Sequence, residues 1–492
     1  MQSNAIHRPS RTKIVATLGP ASNSSEMVLK LILAGVDIFR INAAHGTAET
    51  FAVMLQNVRQ AEKNAGVPIG VLMDLGGPKI RLGKLPGDEL TLNENEAVRF
   101  SNLVNEARKS AAGIPILTST YEPLVEELAV GDRILLADGT VELRVTEKSP
   151  RGDWAECLVV QPGTIRSRQG VNLPGVKLSV PAMLEVDRAN AAWAVQNGVN
   201  FLGLSFVRHA SEIHDLKNII QENGGGTQVV AKIEKPEAVE NLVEIVEATD
   251  AVMVARGDLG VETDIANVPV LQKEIISICH HYRKPVIVAT QMLESMTHHN
   301  LPTRAEVADV ANAILDGADA CMLSGESAVG EYPVETVQMM HRIAMGTEDY
   351  VRSEDYAFIS ENSPFDPILE ATAHSVCELA ENVQAKYILA ATGTGGTALC
   401  LSTNRCPVPI LGLSHSLESL RRMSLYWGVL PMTLPEEMQD PTEIMRYVIT
   451  LFQKQGFLTP GDRVVLLTGQ NLDSCHNAIV VYEVEKTSLR IG

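Results

Sequence analysis

The sequence predicts an α/β protein: a (β/α)8 TIM barrel with an inserted all-β lid domain and a C-terminal α/β domain. Short apolar runs alternate with helical patterns, the alternation breaks once into short strand-like segments, and it then resumes. Apolar runs of this length between helices are typical of buried parallel strands. We expect the barrel at residues 1–82 and 181–347, the lid at 83–180, and the C-terminal domain at 365–492.

Three strand–helix units precede the break in the alternation. Their apolar runs cover residues 13–18, 36–41 and 69–73. The helix after the first run has one apolar face and is expected to end at Gly35, because glycine adopts the left-handed conformation found at many helix ends. The three runs are therefore predicted to be the first three barrel strands.

The inserted segment has the pattern of a small all-β domain. It consists of short β-like runs separated by glycine and proline. The runs at 133–137 and 140–145 flank Asp138 and Gly139, a dipeptide that favours a tight hairpin turn. We interpret this domain as a lid over the end of the third strand.

Five further apolar runs complete the predicted barrel. One covers residues 201–206, and four lie between Val229 and Ser327 with the sequences VVAKIE, AVMVARGD, VIVATQ and ACMLSGE. Eight such units favour a closed barrel. The C-terminal module begins with a helical pattern at 367–379 and has five strand-like runs at 387–391, 409–414, 429–434, 463–468 and 478–484.

Composition narrows the functional class. The formal net charge is −19, which disfavours nucleic-acid binding because that function needs a basic surface. No apolar run is long enough to span a bilayer, and the first residues lack the apolar stretch of a secretory signal. Seven scattered cysteines without a C-x-x-C pair favour free thiols in the cytoplasm over disulfides or a zinc site.

Polar side chains follow the predicted strands where each strand ends. Arg40 lies at the end of the second strand, Lys232 and Glu234 end the fifth, Asp258 follows the sixth, and Thr290 ends the seventh. Active sites of parallel barrels are built from the carboxyl ends of the strands. A spacing of two places Lys232 and Glu234 on the same side of their strand. We therefore expect these side chains to form one site.

The residue types at this site point to phosphate chemistry. Glu234 and Asp258 offer hard oxygens that suit Mg²⁺ or Mn²⁺. Arg40, Arg81 and Lys232 offer positive charge for phosphate oxygens. A metal with several cations and no evident nucleophile suits phosphoryl transfer, in which positioning and charge neutralisation provide most of the catalysis.

The same segments resemble the pyruvate kinase family. The resemblance is carried, in order, by KIVATLGPAS, FRINAAHG, MDLGGPKIRLG, GVNLPGVK, KIEKPEAV, VMVARGDLGVE, VIVATQMLESM and CMLSGESAVGEYP. It implies transfer of the phosphoryl group of phosphoenolpyruvate to ADP, giving pyruvate and ATP, the last step of glycolysis. It also implies a regulatory C-terminal domain and a cytoplasmic homotetramer, with no nucleic-acid or membrane partner.

The resemblance implies roles for the residues on the substrate side. Glu234 and Asp258 would hold the divalent ion, Lys232 would lie against the transferring phosphoryl group, and Arg40 would clamp the phosphate. The backbone of Gly257 and Asp258 would receive the substrate carboxylate.

It also implies the enolate and nucleotide contacts. Thr290 would lie near the enolate carbon that is protonated, and Arg81 would reach the nucleotide phosphates. Thr17, Pro20 and His45 occupy positions at which the family contacts ADP.

The sequence departs from the family at its monovalent-cation site. Many members bind potassium through Asn, Ser, Asp and Thr; this chain keeps Asn42 and Asp74 but has Ala44 and Leu75 at the other two positions. The same loop reads GPKIR instead of GPEIR, so Lys79 stands where potassium-dependent members have glutamate. We predict that potassium is not required, with the Lys79 ammonium replacing the ion. Lys79 could also pair with Asp74.

Two further departures affect nucleotide binding. Gln169 and Gly76 stand where the family often has lysine. Either another cation such as Lys177 compensates, or the nucleotide binds more weakly.

The C-terminal module contains a Gly- and Thr-rich loop, ATGTGGTA, with Thr392, Thr394 and Thr397. It matches the family's effector-phosphate loop in position, and an ordinary helix entry is the alternative. A phosphorylated effector is expected, but fructose 1,6-bisphosphate is not, because the later loop TGQNLDSCHN lacks the family's Trp and Arg.

Two other functions remain open from the residues alone. One is a lyase that uses the metal to stabilise a pyruvate enolate on the same barrel. The other is a catalytically impaired regulatory relative. The inserted lid and Arg81 disfavour the first, and the retained Lys232, Glu234 and Asp258 disfavour the second.

Overall fold

The computed structural model describes residues 10–104, 106–351, 360–436, 438–468 and 478–485. Its first part contains three strand–helix units, of which the third is interrupted after its strand. The elements are β1 (Lys13–Thr17), α1 (Ser25–Ala34), β2 (Ile38–Asn42), α2 (Ala48–Ala65) and β3 (Gly70–Asp74). Helix α1 ends at Gly35 with φ 127°, as its sequence predicts.

The inserted domain is built from short strands and one helical turn. Its elements are β4 (Glu89–Leu92), β5 (Ala97–Ser101), β6 (Arg108–Lys109), β7 (Pro115–Leu117), α3 (Leu124–Glu127), β8 (Arg133–Leu136), β9 (Val141–Lys148), β10 (Trp154–Gln161), β11 (Gly163–Arg166) and β12 (Val171–Asn172). Seven strands form one sheet in the order β12-β8-β9-β10-β5-β7-β6, and β4 pairs with β11. The predicted hairpin is confirmed, because β8 and β9 pair antiparallel.

The chain then returns to complete the barrel. Its strands are β13 (Phe201–Leu204), β14 (Gln228–Ile233), β15 (Ala251–Ala255), β16 (Val286–Ala289) and β17 (Ala320–Leu323). Its α-helices are α4 (Glu185–Gln196), α5 (Ala210–Glu222), α6 (Pro236–Glu240), α7 (Leu242–Ala248), α8 (Arg256–Glu262), α9 (Val268–His281), α10 (Arg304–Leu315), α11 (Gly325–Ala328) and α12 (Pro333–Glu348). Short 3-10 helices cover Ile265–Asn267 and Glu294–Thr297.

The eight parallel strands close into a barrel in the order β1-β17-β16-β15-β14-β13-β3-β2. The predicted fold class is therefore confirmed, with strand ends that differ from the predicted runs by at most three residues. Local capping explains why the helices begin where they do: at α10, Thr303 and Glu306 form a capping box. The domain boundaries stay a prediction.

The C-terminal domain is a five-stranded sheet with helices on its faces. Its elements are α13 (Pro367–Asn382), β18 (Tyr387–Ala391), α14 (Gly396–Ser402), β19 (Ile410–Ser414), α15 (Leu417–Met423), β20 (Val429–Thr433), α16 (Pro441–Gln455), β21 (Arg463–Thr468) and β22 (Ala478–Glu483). The order is β20-β19-β18-β21-β22, and only β22 runs antiparallel.

This domain covers the amino-terminal end of the barrel. Inward-facing barrel residues such as Val15, Phe201 and Met253 belong to the same buried cluster as Ile388 and Met423 of the C-terminal domain. The carboxyl ends of the strands therefore remain as the open face of the barrel, next to the lid. Within the described part of the chain, no helix has the length and apolarity needed to cross a bilayer.

Candidate active site

Four charged side chains predicted from the sequence meet at the carboxyl ends of neighbouring strands. Arg40 on β2 lies with its Nε 2.6 Å from Oδ2 of Asp74 at the end of β3. Lys232 on β14 lies with its Nζ 2.7 Å from Oε1 of Glu234 and 3.7 Å from Oδ2 of Asp74. Asp74 and Glu234 are each 1 % exposed, so the structure brings together two cations and two carboxylates below the rim.

Ser205, which the sequence interpretation did not select, orients the lysine. Lys232 Nζ donates to Ser205 Oγ at 2.9 Å, and that hydroxyl donates to the Leu75 carbonyl at 2.8 Å. Because the Ser205 hydroxyl donates its proton to the Leu75 carbonyl, a lone pair of its oxygen is directed at the Lys232 ammonium. The LSFVR motif at the end of β13 was the signal that could have identified Ser205 as a site residue.

The charges in this cluster shift one another's pKa values. Burial opposes protonation of Lys232, but the Glu234 and Asp74 carboxylates outweigh it and raise the lysine pKa. Burial alone would raise the pKa of Asp74, but Arg40 and Lys232 hold it below its usual range. For Glu234, burial raises the carboxyl pKa, and the nearby Asp258 adds to the effect.

Two buried oxygens in the cluster are poorly satisfied. Asp74 Oδ1 lacks a hydrogen-bond partner, and the contact of Glu234 Oε1 with Lys232 lacks hydrogen-bond geometry. Such oxygens are costly unless a ligand completes them. No cluster of three or more His, Cys, Asp or Glu side chains suited to a metal occurs in the described ranges. The pair Glu234 and Asp258 still fits Mg²⁺, which is commonly bound through one or two carboxylates, substrate phosphates and water.

The opposite wall is formed by the start of α8 and the end of β16. Thr290 Oγ1 accepts the Gly257 N–H at 2.8 Å and donates to the Ala289 carbonyl at 2.6 Å. Thr290 has φ 69° and Gln291 has φ 54°, which is unfavourable for a β-branched residue such as threonine. A Cβ atom at Gly257 would lie 3.3 Å from Thr290 Oγ1, so glycine permits this close approach.

The predicted pairing of Lys79 with Asp74 is wrong. Asp74 is occupied by Arg40 and Lys232, whereas Lys79 is exposed and has no ion-pair partner among the residues that the structure describes. Lys79 instead lines a cavity between barrel and lid, together with Asp258, and lies close to Gly170. The turn Gly77-Pro78 carries the lysine away from the end of β3.

Comparison with known proteins decides between the functions left open by the residues. The family model described as pyruvate kinase, barrel domain, matches residues 9–337, and the one described as pyruvate kinase, alpha/beta domain, matches residues 370–482. The chain belongs to the pyruvate kinase family. It is thus a phosphotransferase that converts phosphoenolpyruvate and ADP to pyruvate and ATP.

Individual pyruvate kinases resemble the chain over nearly its whole length. The chain is 40 % identical to pyruvate kinase 2 of Synechocystis sp. over 95 % of its own length and 78 % of that protein. It is 39 % identical to the pyruvate kinase of Mycobacterium intracellulare over 93 % and 95 % of the two chains. A crystal structure of a pyruvate kinase from Cryptosporidium parvum superposes with a TM-score of 0.90 at 32 % identity, covering 98 % and 97 %.

The predicted nucleotide contacts of this pyruvate kinase occupy different environments. Pro20 and His45 are exposed. Thr17 is buried, and its hydroxyl accepts Arg40 Nη1 at 3.2 Å. Arg81 lies in the lid stalk, by which we mean the two segments that connect barrel and lid, around 76–82 and 169–177. Its Nη1 donates to the Arg168 carbonyl at 3.1 Å.

The two positions that the sequence analysis expected to differ from the family pattern, Gln169 and Gly76, also lie around the stalk. Gln169 Oε1 accepts the Arg166 N–H at 2.6 Å within a lid turn, and Lys177 is exposed. Gly76 donates its N–H to Asp187 Oδ1 at 3.0 Å. Asp187, a buried residue of α4 that the sequence interpretation missed, therefore ties the outgoing lid stalk to the returning chain.

The threonine-rich loop of the C-terminal domain is a compact helix entry. Thr392 and Thr397 are buried, Thr394 is exposed, and Thr392 Oγ1 accepts the Gly395 N–H at 3.0 Å. Two of the three threonine side chains therefore face the protein interior. Apart from its first residue, the loop TGQNLDSCHN lies outside the described residues.

Proposed function

We propose that Lys232, Arg40, Glu234 and Asp258 form the phosphoryl-transfer centre of this pyruvate kinase. The supporting observation is the buried cluster in which Lys232 lies 2.7 Å from Glu234 and Arg40 lies 2.6 Å from Asp74. Lys232 stabilises charge on the transferring group, and Arg40 orients the phosphate. Positive charge held in place before the reaction stabilises a phosphoryl-transfer transition state without reorganisation.

Glu234 and Asp258 are the proposed ligands of Mg²⁺ or Mn²⁺. The metal, when bound, neutralises negative charge on phosphate and enolate oxygens. The two carboxylates leave room for substrate ligands, and Glu234 is oriented by the Phe206 N–H, which donates to Oε2 at 2.9 Å. Ser205 keeps the Lys232 ammonium in place by a contact that does not involve Glu234.

Thr290 and Gly257 form the proposed enolate side. The Thr290 hydroxyl already accepts the Gly257 N–H, so the two groups lie within reach of one small anion. A substrate carboxylate would take the backbone N–H of Asp258 and also that of Gly257, which would exchange its bond to Thr290 Oγ1 for the substrate. The Thr290 hydroxyl would exchange its bond to the Ala289 carbonyl and face the enolate carbon.

A metal-binding experiment tests this centre. Glu234→Gln should weaken Mn²⁺ binding, measured by electron paramagnetic resonance, and should lower ADP-dependent pyruvate release. Glu240→Gln is the matched control, because Glu240 is an exposed residue at the end of the next helix, α6. Unchanged Mn²⁺ binding in Glu234→Gln would contradict the assignment.

Potassium independence is a separate part of the proposal. Ala44 and Leu75 offer carbon where family members offer oxygen, and Lys79 lines the cavity that contains Asp258. The Lys79 charge would therefore act across this cavity, without a direct contact with Asp74.

An assay in tetramethylammonium salts, with and without potassium, tests the role of Lys79. The wild type should change less than about twofold, and Lys79→Met should lose about tenfold in kcat/KM without recovery by potassium. Lys109→Met, at an exposed lid lysine on β6, is the control. Strong potassium stimulation of the wild type would refute this part.

For the nucleotide, we propose contacts from Arg81, Pro20 and His45, with Thr17 acting through Arg40. Arg81 would have to exchange its bond to the Arg168 carbonyl for a phosphate. Arg81→Lys should therefore raise the KM for ADP more than that for phosphoenolpyruvate, because lysine lacks the planar fork of arginine.

Regulation, assembly and location complete the proposal. The 391–398 loop would bind a phosphorylated effector, which calorimetry with sugar phosphates and AMP would detect. A cytoplasmic homotetramer is proposed from the family. In the part of the chain that the structure describes, β22 is an edge strand of the C-terminal sheet, and its Ile479, Val480 and Val481 are exposed, which would suit a contact between subunits. Light scattering would measure the molar mass of the assembly.

A further inference from the structure

A contact between the lid and the barrel converges on one carboxylate. Asn172 on β12 of the lid donates its Nδ2 to Glu262 Oε1 at 2.9 Å. The ammonium of Lys235, which precedes α6 on the barrel, lies 2.8 Å from the same oxygen. We call Asn172, Lys235 and Glu262 the latch.

The carboxylate of the latch is in an unfavourable place without its partners. Glu262 is 4 % exposed, and its Oε2 is buried without a hydrogen-bond partner. It is also the last residue of α8, where the helix dipole disfavours negative charge. If the lid moved away, Lys235 would remain as the ionic partner of Glu262 among the barrel residues that the structure describes. The Asn172 hydrogen bond therefore favours the closed lid, because lid opening would break it.

The two barrel members of the latch are joined directly to the proposed metal ligands. Glu262 ends the short helix that begins with Arg256 and carries Asp258 in its first turn. Lys235 follows Glu234 in the chain. All three residues of the latch line the same cavity as Asp258. A displacement of Glu262 or Lys235 during lid movement would therefore also displace Asp258 or Glu234, which are close to them in the chain.

A second contact ties Lys235 to the backbone around Glu234. The Lys235 ammonium lies 5.8 Å from the centre of the Phe206 ring, whose residue has φ 57° and donates its N–H to Glu234 Oε2. Phenylalanine in the left-handed region is unfavourable and persists only when its surroundings hold it. Lys235 is one of the groups that hold it.

We propose that the latch couples lid closure to the placement of Asp258 and Glu234, with Glu262 and Lys235 as positioning residues. When the lid closes, Asn172 would bind Glu262 and fix the end of α8, and this helix would then hold Asp258 in place. The inference rests on the proposed function in one respect, the role of Asp258 and Glu234 as metal ligands.

Asn172→Ala is the central test, and Asn102→Ala is its matched control. Asn102 is also a lid asparagine, but its Nδ2 donates to the Glu122 carbonyl within the lid. In hydrogen exchange without substrate, Asn172→Ala should exchange several-fold faster in the stalk peptides around 79–82 and 170–176. The KM for ADP should rise about tenfold, with kcat within threefold, because saturating nucleotide restores closure.

A double-mutant cycle separates loss of the latch from a general loss of protein stability. Asn172→Ala and Glu262→Met should be non-additive in the KM for ADP, because each removes the hydrogen bond from Asn172 Nδ2 to Glu262 Oε1. Additive effects, or stalk exchange in Asn172→Ala equal to that in Asn102→Ala, would overturn the latch. The exchange result needs no metal, whereas loss of Mn²⁺ binding in Asp258→Asn tests the metal site alone. The two failures are therefore distinguishable.

Discussion

Two carboxylate–cation pairs at opposite ends of the barrel differ in how completely they are satisfied. At the amino-terminal end, Glu62 of α2 receives both Nε and Nη2 of Arg421 from the C-terminal domain, and its Oε1 also accepts the Ile69 N–H. At the open end, Glu234 meets Lys232 without hydrogen-bond geometry at Oε1. The Glu62–Arg421 pair is a hydrogen-bonded contact between two domains, whereas Glu234 has an oxygen that can still accept a hydrogen bond or bind a metal.

The difference shows which buried charges serve structure and which serve chemistry. Backbone strain alone does not separate the two ends, since Arg283 next to the C-terminal domain also has φ 55°. The hydrogen bonding of the two carboxylates does separate them, because Glu62 accepts three hydrogen bonds and also pairs with Arg59, which leaves little bonding capacity for a substrate. Substitutions at the two ends should therefore affect different measurements.

The largest expected effect is on turnover at the open end. Lys232→Met should lower kcat by about 10³-fold, because it removes a charge aimed at the transferring phosphoryl group. A coupled assay of pyruvate formation, with ADP present or omitted, measures the effect, and circular dichroism checks the fold. If Lys232→Met kept more than a tenth of wild-type turnover, the catalytic role of the charged cluster at the open end would be contradicted.

At the opposite end, Arg421→Met should affect stability and leave turnover near wild type. Removing Arg421 leaves Glu62 with the Ile69 N–H and with Arg59, whose Nη1 is 3.5 Å from Oε2, and costs about 2 kcal/mol. The shift in the midpoint of urea unfolding measures this loss. A large fall in kcat at a temperature where the variant is folded would show that the two ends are not independent.

The sequence predicted the barrel because eight apolar runs each ended in polar residues, and the lid hairpin because of Asp138 and Gly139. It also predicted that Lys232 and Glu234 share one side of β14, which follows from strand periodicity. Contacts between distant segments were not predictable. Ser205, Asp187 and Glu262 act through neighbours far away in the chain.

The wrong pairing of Lys79 with Asp74 has the same origin. Closeness in sequence favoured it, but Asp74 is compensated by Arg40 and Lys232, which approach from β2 and β14. A tight turn then carries Lys79 to the lid side. Competition between cations for one carboxylate becomes visible only when the strands are assembled.

The pH dependence of stability should come in part from the amino-terminal end. Burial, together with Arg405 and Arg283, lowers the pKa of His280 to about 3. Because an unfolded histidine titrates near 6.5, the unfolded state binds more protons below that pH, and stability falls as the pH drops from about 6.5 towards 3. At pH 5 this single group should cost about 2 kcal/mol.

His280→Gln should therefore show a flatter pH dependence of urea unfolding between pH 7 and 5 than the wild type. His299→Gln, an exposed histidine, is the control and should follow the wild type. Equal slopes for His280→Gln and the wild type would show that His280 is accessible to protons in the folded enzyme.

The smallest expected effect on turnover comes from the Thr290 hydroxyl at the open end, which we compare with the Thr336 hydroxyl in α12. Thr290→Val removes the oxygen that accepts the Gly257 N–H and should lower kcat by about tenfold, whereas Thr290→Ser keeps it and should retain most of the activity. The control is Thr336→Val, because the Thr336 hydroxyl donates to the Tyr332 carbonyl within α12. It should change thermal stability slightly and turnover not at all.

Deuterium incorporation into pyruvate sharpens this test, since it reports protonation of the enolate separately from phosphoryl transfer. Thr290→Val should slow exchange of pyruvate methyl protons at least as much as it slows turnover, because the hydroxyl faces the enolate carbon in the proposed arrangement. If exchange were unchanged while turnover fell, the hydroxyl would be acting through the Gly257 backbone alone. The role of Thr290 would then be to hold α8 against β16, as the helix hydroxyl of Thr336 holds one turn against the next.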